Sequence, residues 1–412
     1  MKIFFMICWR NLWRHRRRSV IVISSVAIGI GAMLLSMGIL NGVSRQAVDN
    51  NINIALGHLS IQKKGLRDSM SLKNGFVPDA GMVRAVNARR DRVRGWTRRL
   101  KAQGMLNSSE SSAGVVVVGV EPGREEGVSS IASYIVSPGG GSFLAESDPN
   151  GICISRASAE KLDVTPGDTI VVMLQDGTGD MSGAGMTVRG IFQTPVDAVD
   201  QYVAFVGLKR LQEMTGAGDS VSEINIVLRN REDADEIGRG LRKEIAMPGI
   251  AVLTWKEMAP YLVSSILVLD VMMYVSFGII FITVVFSIAN TLIMAIMERF
   301  HEIGVMKAIG TKPSWIFSMI MFESINLGLV GLVAGVAASA VILGVLSKAG
   351  INFSFQSDTF RTLGSGSVIY PAMRLKDVFA ASAIVIVTTI AAAVYPARKG
   401  AKIGPLEAIT FI

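Results

Sequence analysis

Four stretches of the chain are apolar and uncharged over a long run: residues 20–40, 271–297, 324–347 and 378–394. A helix rises about 1.5 Å per residue and the hydrocarbon core of a bilayer is about 30 Å thick, so the first three can span it and the shorter fourth suffices. Four transmembrane helices are predicted. The apolar pattern around the second runs from 262 to 296, interrupted only by Asp270. As a helix it measures roughly 50 Å and protrudes beyond the membrane, with Asp270 at the outer interface as a solvated or Arg-paired residue. Glu323 sits deeper in the third span, where a carboxylate needs a partner or an inward-facing position.

The long segment between spans one and two has a different texture. Strand-like runs fall at 54–62, 113–120, 151–155, 169–174, 186–192, 201–206, 223–228 and 250–253, and helical patterns at 79–103, 156–163, 208–214 and 232–245. Pro166-Gly167-Asp168 reads as a tight turn, 176–185 as a flexible hairpin tip and 138–142 as a loop. The expected fold is a membrane protein of four transmembrane helices with a large α+β extracytoplasmic domain inserted between helices 1 and 2.

Charge orients this arrangement. Lys and Arg are concentrated in residues 1–19 (Lys2, Arg10, Arg14, Arg16, Arg17, Arg18), in the loop 298–315 and in the tail 396–412, while the large segment is nearly balanced. An even number of spans puts the three basic segments in one compartment, which the positive-inside rule makes the cytoplasm. Both termini are therefore expected to be cytoplasmic. The overall net charge of +8 reflects this topology rather than a basic binding surface, so nucleic acid is not implied. The first span is too long for a cleaved signal core and reads as an uncleaved anchor. Cys8 and Cys153 fall on opposite sides and cannot pair, and Cys153, between Ile152 and Ile154, reads as a small core residue.

The expected divisions are 1–19 as a basic cytoplasmic segment, 20–41 as helix 1, and 42–260 as the large domain, with a membrane-proximal part (42–112 and 222–260) and a distal insert (113–221). There follow 261–297 as helix 2, 298–315 as a cytoplasmic coupling helix, 316–347 as helix 3, 348–377 as an outer loop, 378–395 as helix 4 and 396–412 as the tail. Gly38 with Gly42, and Gly331 with Gly335, are small-xxx-small pairs that let helices approach closely. Packing within the four-helix bundle and a dimer interface both remain open. Between Arg84 and Lys101 the run of basic residues around Trp96 reads either as a surface for anionic headgroups or as the solvated face of a helix.

Catalytic patterns are missing from the sequence. It holds no GxxxxGK[ST], no HExxH and no GxSxG, and His15, His58 and His301 lack metal-ligand spacing. No catalytic residue, metal site or bound cofactor is expected. The informative stretch is the loop after span two. Glu298, Glu302 and Met306 recur every four residues, and Arg299, Ile303 and Lys307 form the adjacent stripe. A short helix is expected to present charges beside apolar knobs, among them Val305 and Ile309. Gly304 lies within it, Gly310 ends it and Pro313 marks the next helix.

This loop, "MERFHEIGVMKAIGTKPSWI", and the tail "YPARKGAKIGPLEAI", with Pro396, Ala397, Pro405, Glu407 and Ala408, resemble the MacB/FtsX-like permeases of ABC transporters. Those have four spans and a large extracytoplasmic domain between the first two. "GHLSIQKKG", "VVVVGVEPGREEGVSS" and "FQTPVDAVDQYVAFVGLKRLQ" are similar to the LolC/LolE branch, which releases lipoproteins from the bacterial inner membrane. The resemblance implies a separate ABC ATPase dimer that uses ATP and Mg and docks on Glu298, Arg299, Glu302, Ile303, Gly304, Met306, Lys307 and Gly310. It further implies a second permease copy or a sister permease, a lipoprotein substrate among membrane lipids, and a periplasmic carrier. The related alternatives are FtsX-like signalling to a cell-wall hydrolase and MacB-like efflux of peptides or macrolides.

Overall fold

Every one of the four apolar stretches is helical, and the helices outlast the stretches. The structure is a computed structural model that describes residues 16–67, 71–136, 141–354 and 357–403. Residues 1–15 with Cys8, part of the expected 138–142 loop, and the tail positions Pro405, Glu407 and Ala408 lie outside the described residues. Helix α1 (Arg16–Asn51) continues into a single π-helical turn, Ile52–Leu56, before strand β1 (Leu59–Lys63). Then come α2 (Ala80–Asn87), β2 (Val93–Asn107), β3 (Ser112–Val120), α3 (Pro122–Val128), β4 (Gly151–Ser155), α4 (Arg156–Leu162), β5 (Thr169–Gln175) and β6 (Met181–Phe192). They are followed by α5 (Asp197–Tyr202), β7 (Val203–Gly207), α6 (Leu208–Thr215), β8 (Glu223–Leu228), α7 (Ala234–Glu244), β9 (Ile250–Thr254) and α8 (Trp255–Met258). The chain then forms α9 (Pro260–Glu298), α10 (Phe300–Ala308), α11 (Pro313–Ala349), α12 (Ser357–Leu363) and α13 (Leu375–Lys402).

Two compact units result. Among the described residues, one holds 16–44, Leu267–Asn352 and 369–403, the other 45–266 and Phe353–Val368. In the first unit α1, α9, α11 and α13 are each long and apolar enough to cross a membrane. Its core is built on helical periodicity: Val22, Val26, Ile30 and Leu34 of α1 recur every four residues and pack with Val284, Ile288 and Leu292 of α9, Leu327 of α11 and Val385 of α13. At 39 residues, α9 is about 58 Å long, well beyond the hydrocarbon thickness. Asp270 is exposed on it.

The second unit is organised by one nine-stranded sheet in the order β3-β7-β4-β6-β5-β2-β8-β1-β9, in which β2 also pairs with β3. That extra pairing closes β2, β3, β7, β4, β6 and β5 into a ring without free edges. Period-two alternation fills the ring: Leu100, Leu106, Val115, Val117, Ile152, Ile154, Ile170, Val172, Leu174, Val188 and Val206 form one buried cluster. Their neighbours Val118, Val120, Cys153 and Phe205 face outward into a separate cluster with Ile54, Ile131, Leu144 and Phe192. Beyond the ring, β8, β1 and β9 continue from the first half of β2, and α2 and α7 cover one face of this extension through Met82, Val86, Ile237 and Leu241.

Several sequence expectations need correction. The helical pattern at 79–103 is helical only as Ala80–Asn87; β2 takes over at Val93 and is the longest strand, at 15 residues. The strand expected at 54–62 starts at Leu59, after the π-turn, and that expected at 201–206 starts at Val203, after α5. The hairpin tip shrinks to 176–180 because β6 begins at Met181. Helix α3 has no counterpart in the sequence reading; Pro122 at its first turn is what starts it.

Candidate functional site

The loop between α9 and α11 folds as expected into a short helix, α10, with a break at Arg299 rather than one helix from Glu298 onward. Arg299 leaves helical geometry at φ −104°, ψ 17°, and turns its side chain inward, where it is 7% exposed. There its Nη1 donates to Glu323 Oε2 at 3.3 Å. Glu323, 6% exposed, is thus the partnered carboxylate that its depth in the third span demanded. Removal of two opposite charges from water is tolerable only when they meet, so the pair fixes the start of α10 against α11.

The rest of α10 divides by face. Ile303, 2% exposed, and Gly304 are buried, and Ile303 packs with Ile296, Ile316, Ile320 and Ala397. Lys307 donates from Nζ to the carbonyl of Ile403 at 2.7 Å, and Met306 is half-buried. Glu298, His301, Glu302, Val305 and Ile309 are exposed; Val305 is 42% and Ile309 78% exposed. Gly310 closes the helix at φ +97°, a conformation that favours glycine, and its N–H bonds Lys307 O at 3.0 Å. The eight residues expected to form the coupling site therefore come together but do not share one surface. Arg299, Ile303 and Gly304 form the base of the helix, Lys307 ties it to the end of α13, and the outer face is carried by Glu298, Glu302, Val305 and Ile309. Exposed Trp315, at 60%, follows just beyond. The periodicity in the sequence shows the two stripes without indicating which one is turned inward.

The four small-xxx-small glycines all meet neighbours in the same chain. A Cβ on Gly331 would lie 2.8 Å from Val26 Cβ, and one on Gly335 would lie 2.7 Å from the carbonyl of Ala27. Gly38 faces Leu343, and a Cβ on Gly42 would lie 2.5 Å from Tyr370 O. Near the same end of α1, Ala372 N bonds Gly38 O at 2.9 Å and Asn41 Nδ2 donates to Asp377 Oδ2 at 2.7 Å.

In the large unit five of the eight basic residues from Arg84 to Lys101 are held in ion pairs, and the run is helical only as far as Asn87. Arg89 pairs with Glu244, Arg92 with Glu236, Arg98 with Glu121, Arg99 with Glu125 and Lys101 with Glu223. Trp96 donates to Asn87 Oδ1 at 3.1 Å and lies under the Arg124 guanidinium at 4.2 Å. Arg99 is 3% exposed and also donates to the carbonyl of Ala55 in the π-turn. It thereby caps the end of the long first helix, where the helix dipole is negative. Gly57, at φ +66°, permits the turn out of that end beneath Asn225.

Burial pushes the Cys153 thiol up to about 12, and its Sγ bonds Ser142 O at 3.6 Å, which makes it an unreactive core group. His58 is held down to about 4, first by burial and then by nearby Arg94 and Arg231. Its neutral Nδ1 accepts from Leu228 N at 3.1 Å. Among the described residues no group of three or more His, Cys, Asp or Glu is placed to hold a metal ion.

Comparison with known proteins fits this architecture. Residues 19–244 match the family model of the MacB-like periplasmic core domain, and residues 274–405 that of the FtsX-like permease C-terminal domain. The chain is 22% identical to the lipoprotein-releasing system transmembrane protein LolC of Xylella fastidiosa, covering 95% of this chain and 94% of that one. It is 20% identical to the corresponding LolE of Haemophilus influenzae, covering 98% and 99%. The periplasmic region of MacB from Actinobacillus actinomycetemcomitans aligns over 52% of this chain and 97% of its own, with TM-score 0.36 and 11% identity. The chain is a multi-pass membrane protein and belongs to the ABC transporter permeases that join a MacB-like periplasmic core domain to an FtsX-like permease domain.

Proposed function

We propose that this chain is the permease subunit of a lipoprotein-releasing ABC transporter of the bacterial inner membrane, worked by a separate ATPase dimer that seats on α10. The observation that carries the reading is the outer face of α10: Val305 and Ile309 exposed beside Glu302, on a base fixed by Arg299 and Glu323. Apolar knobs ringed by charge on a rigid helix are what a partner needs to push against. The near full-length coverage of LolC and LolE supports the choice of cargo.

In this reading nucleotide chemistry, with ATP and Mg, belongs wholly to the partner. Closure of the ATPase dimer displaces α10, and the long helices α1 and α9 carry the displacement outward, since each contributes residues to both units. Work is required because a lipid-anchored substrate loses about 0.8 kcal/mol for each methylene drawn from the bilayer. A second permease, identical or a sister chain, completes the complex, and a periplasmic carrier receives the released lipoprotein. Both termini face the cytoplasm.

The test is purification of the complex from native membranes, with crosslinking at the large domain. Recovery of a lipoprotein or its soluble carrier supports release. A cell-wall hydrolase, or an adaptor with an outer-membrane channel, would replace this reading by signalling or by efflux. Charge reversal in Glu302→Lys is expected to abolish ATPase co-purification, and full retention with unaltered stimulated hydrolysis would exclude α10 as the docking element.

A further inference from the structure

The base of α10 is not solidly filled. A cavity of about 280 Å³ lies among Leu292, Ala295 and Ile296 of α9, Ile303 and Met306 of α10, and Met319 and Ile320 of α11. Arg299, Glu302 and Glu323 are its polar lining. Arg299 spends one guanidinium nitrogen on Glu323, but its Nε–H, also buried, has no partner. The side chain is 9% exposed. A buried donor left unmade costs about 1–3 kcal/mol, so this group specifies what the cavity should hold.

Three properties narrow the guest. Seven of the ten lining residues are apolar, so most of the wall suits hydrocarbon and water finds hydrogen-bonding partners only along the side of Arg299, Glu302 and Glu323. The open donor calls for one acceptor oxygen at a fixed point on the wall. Among the described lining residues two carboxylates, Glu302 and Glu323, stand against the one guanidinium of Arg299, so an acceptor that brings no further negative charge to that point of the wall is favoured. A neutral carbonyl attached to hydrocarbon satisfies all three. Arg299 directly follows the last residue of the apolar α9, the level at which the ester groups of a bilayer leaflet lie beside the ends of spanning helices.

We propose that this cavity is a binding site for a membrane glycerophospholipid, with one acyl chain among Leu292, Ile296, Ile303, Met319 and Ile320 and its ester carbonyl accepting from Arg299 Nε. The lipid then packs beneath α10 and forms part of the base against which that helix is pressed. The site shares Glu302 with the outer face of α10 assigned to the ATPase but is otherwise lined from beneath the helix, and it can be tested on the permease alone.

The experiment uses the full-length chain in bilayers containing phosphatidylethanolamine with a diazirine on one acyl chain. After illumination, peptides spanning residues 292–306 and 319–323 are expected to carry the adduct above the labelling seen on the exposed flank of α9. Ala295→Phe fills the cavity and is expected to reduce the adduct there to the flank level. Arg299→Lys retains the charge but removes the Nε donor, and is expected to lose the lipid retained through extensive detergent washing, read by native mass spectrometry. A diazirine fatty acid serves as the carboxylate control and is expected to label weakly. Labelling that is uniform along the spans, unchanged in Ala295→Phe, or stronger with the fatty acid than with the ester would overturn the proposal. Thermal melts of both variants identify any that fail to fold, and unaltered lipid retention in a folded Arg299→Lys variant would overturn it independently.

Discussion

Arg99 and Glu125 form an ion pair from which water is almost wholly excluded, with side chains 3% and 0% exposed. The pair lies where three parts of the large unit meet: β2 supplies the guanidinium, α3 the carboxylate, and the π-turn after α1 the carbonyl of Ala55 that Arg99 also binds. A pair like this organises geometry more than it adds net stability, because desolvation offsets most of the attraction. Glu125→Leu alone strands the guanidinium and is expected to destabilise the protein by about 3–5 kcal/mol. The double variant Arg99→Met with Glu125→Leu is expected to recover most of that loss, read by thermal unfolding of the full chain in detergent. Equal destabilisation by single and double variants would show that the pair does not act as a unit.

His58 gives the fold an acid-sensitive point. Unfolded, its imidazole titrates near 6.5; folded, it is held down to about 4. As pH falls, the unfolded chain takes up the proton first, so the stability due to neutral His58 is complete above pH 6.5 and is lost as pH falls toward 4. The size of the effect is up to about 3 kcal/mol. His58→Asn keeps an acceptor for Leu228 N and is expected to flatten the melting temperature across that window. A slope unchanged from the parent protein would assign the acid sensitivity to other groups.

On α10 the outer and inner faces should respond differently. Val305→Ser and Ile309→Ser remove exposed apolar contacts and are expected to weaken ATPase association by about 1–2 kcal/mol each, leaving the melting temperature of the permease unchanged. Ile303→Ala opens the buried base and is expected to lower the melting temperature, at a cost of about 2–4 kcal/mol. Comparing pull-down affinity with thermal stability separates the two classes, and a loss of stability from Ile309→Ser would contradict its placement on the outer face.

Helix packing makes a paired prediction. A Cβ on Gly335 intrudes on Ile30 and the Ala27 carbonyl, whereas one on Gly344 of the same helix meets nothing within 4 Å. Gly335→Ala is expected to cost about 1–3 kcal/mol through overpacking, and Gly344→Ala to be neutral or slightly stabilising through helix propensity. Similar melting temperatures for the two variants would refute the close approach of α11 to α1.

Much of this was legible in the sequence wherever a period was clean. The spans are marked by length alone, and 151–155 and 223–228 read as strands because each is bounded by turn or polar residues. β2 does not show its period in the sequence because Arg99, Thr97 and Lys101 occupy its inward or paired positions, so buried charge disguises the alternation. Glu125 and the carbonyl of Ala55, both distant along the chain, explain why an arginine can lie there. The π-turn was hidden for a similar reason: Ile52, Ile54 and Leu56 alternate like a strand while forming one helical turn. At α10 the spacing gave two stripes, but the partner of Arg299, and so the direction it faces, came from α11.

The segment Phe353–Val368 has a practical consequence. Although it lies between the third and fourth spans in sequence, it belongs to the same compact unit as the large domain. Arg361 reaches Asp200 at 2.7 Å, Gln46 Nε2 donates to Val368 O at 3.0 Å and Asn50 Nδ2 to Gly364 O at 2.8 Å. The domain is therefore not a cassette with one entry and one exit. A chimera that transplants residues 45–266 into another permease would leave Asp200 facing a foreign loop, and an exchange intended to swap specificity should carry 353–368 with it.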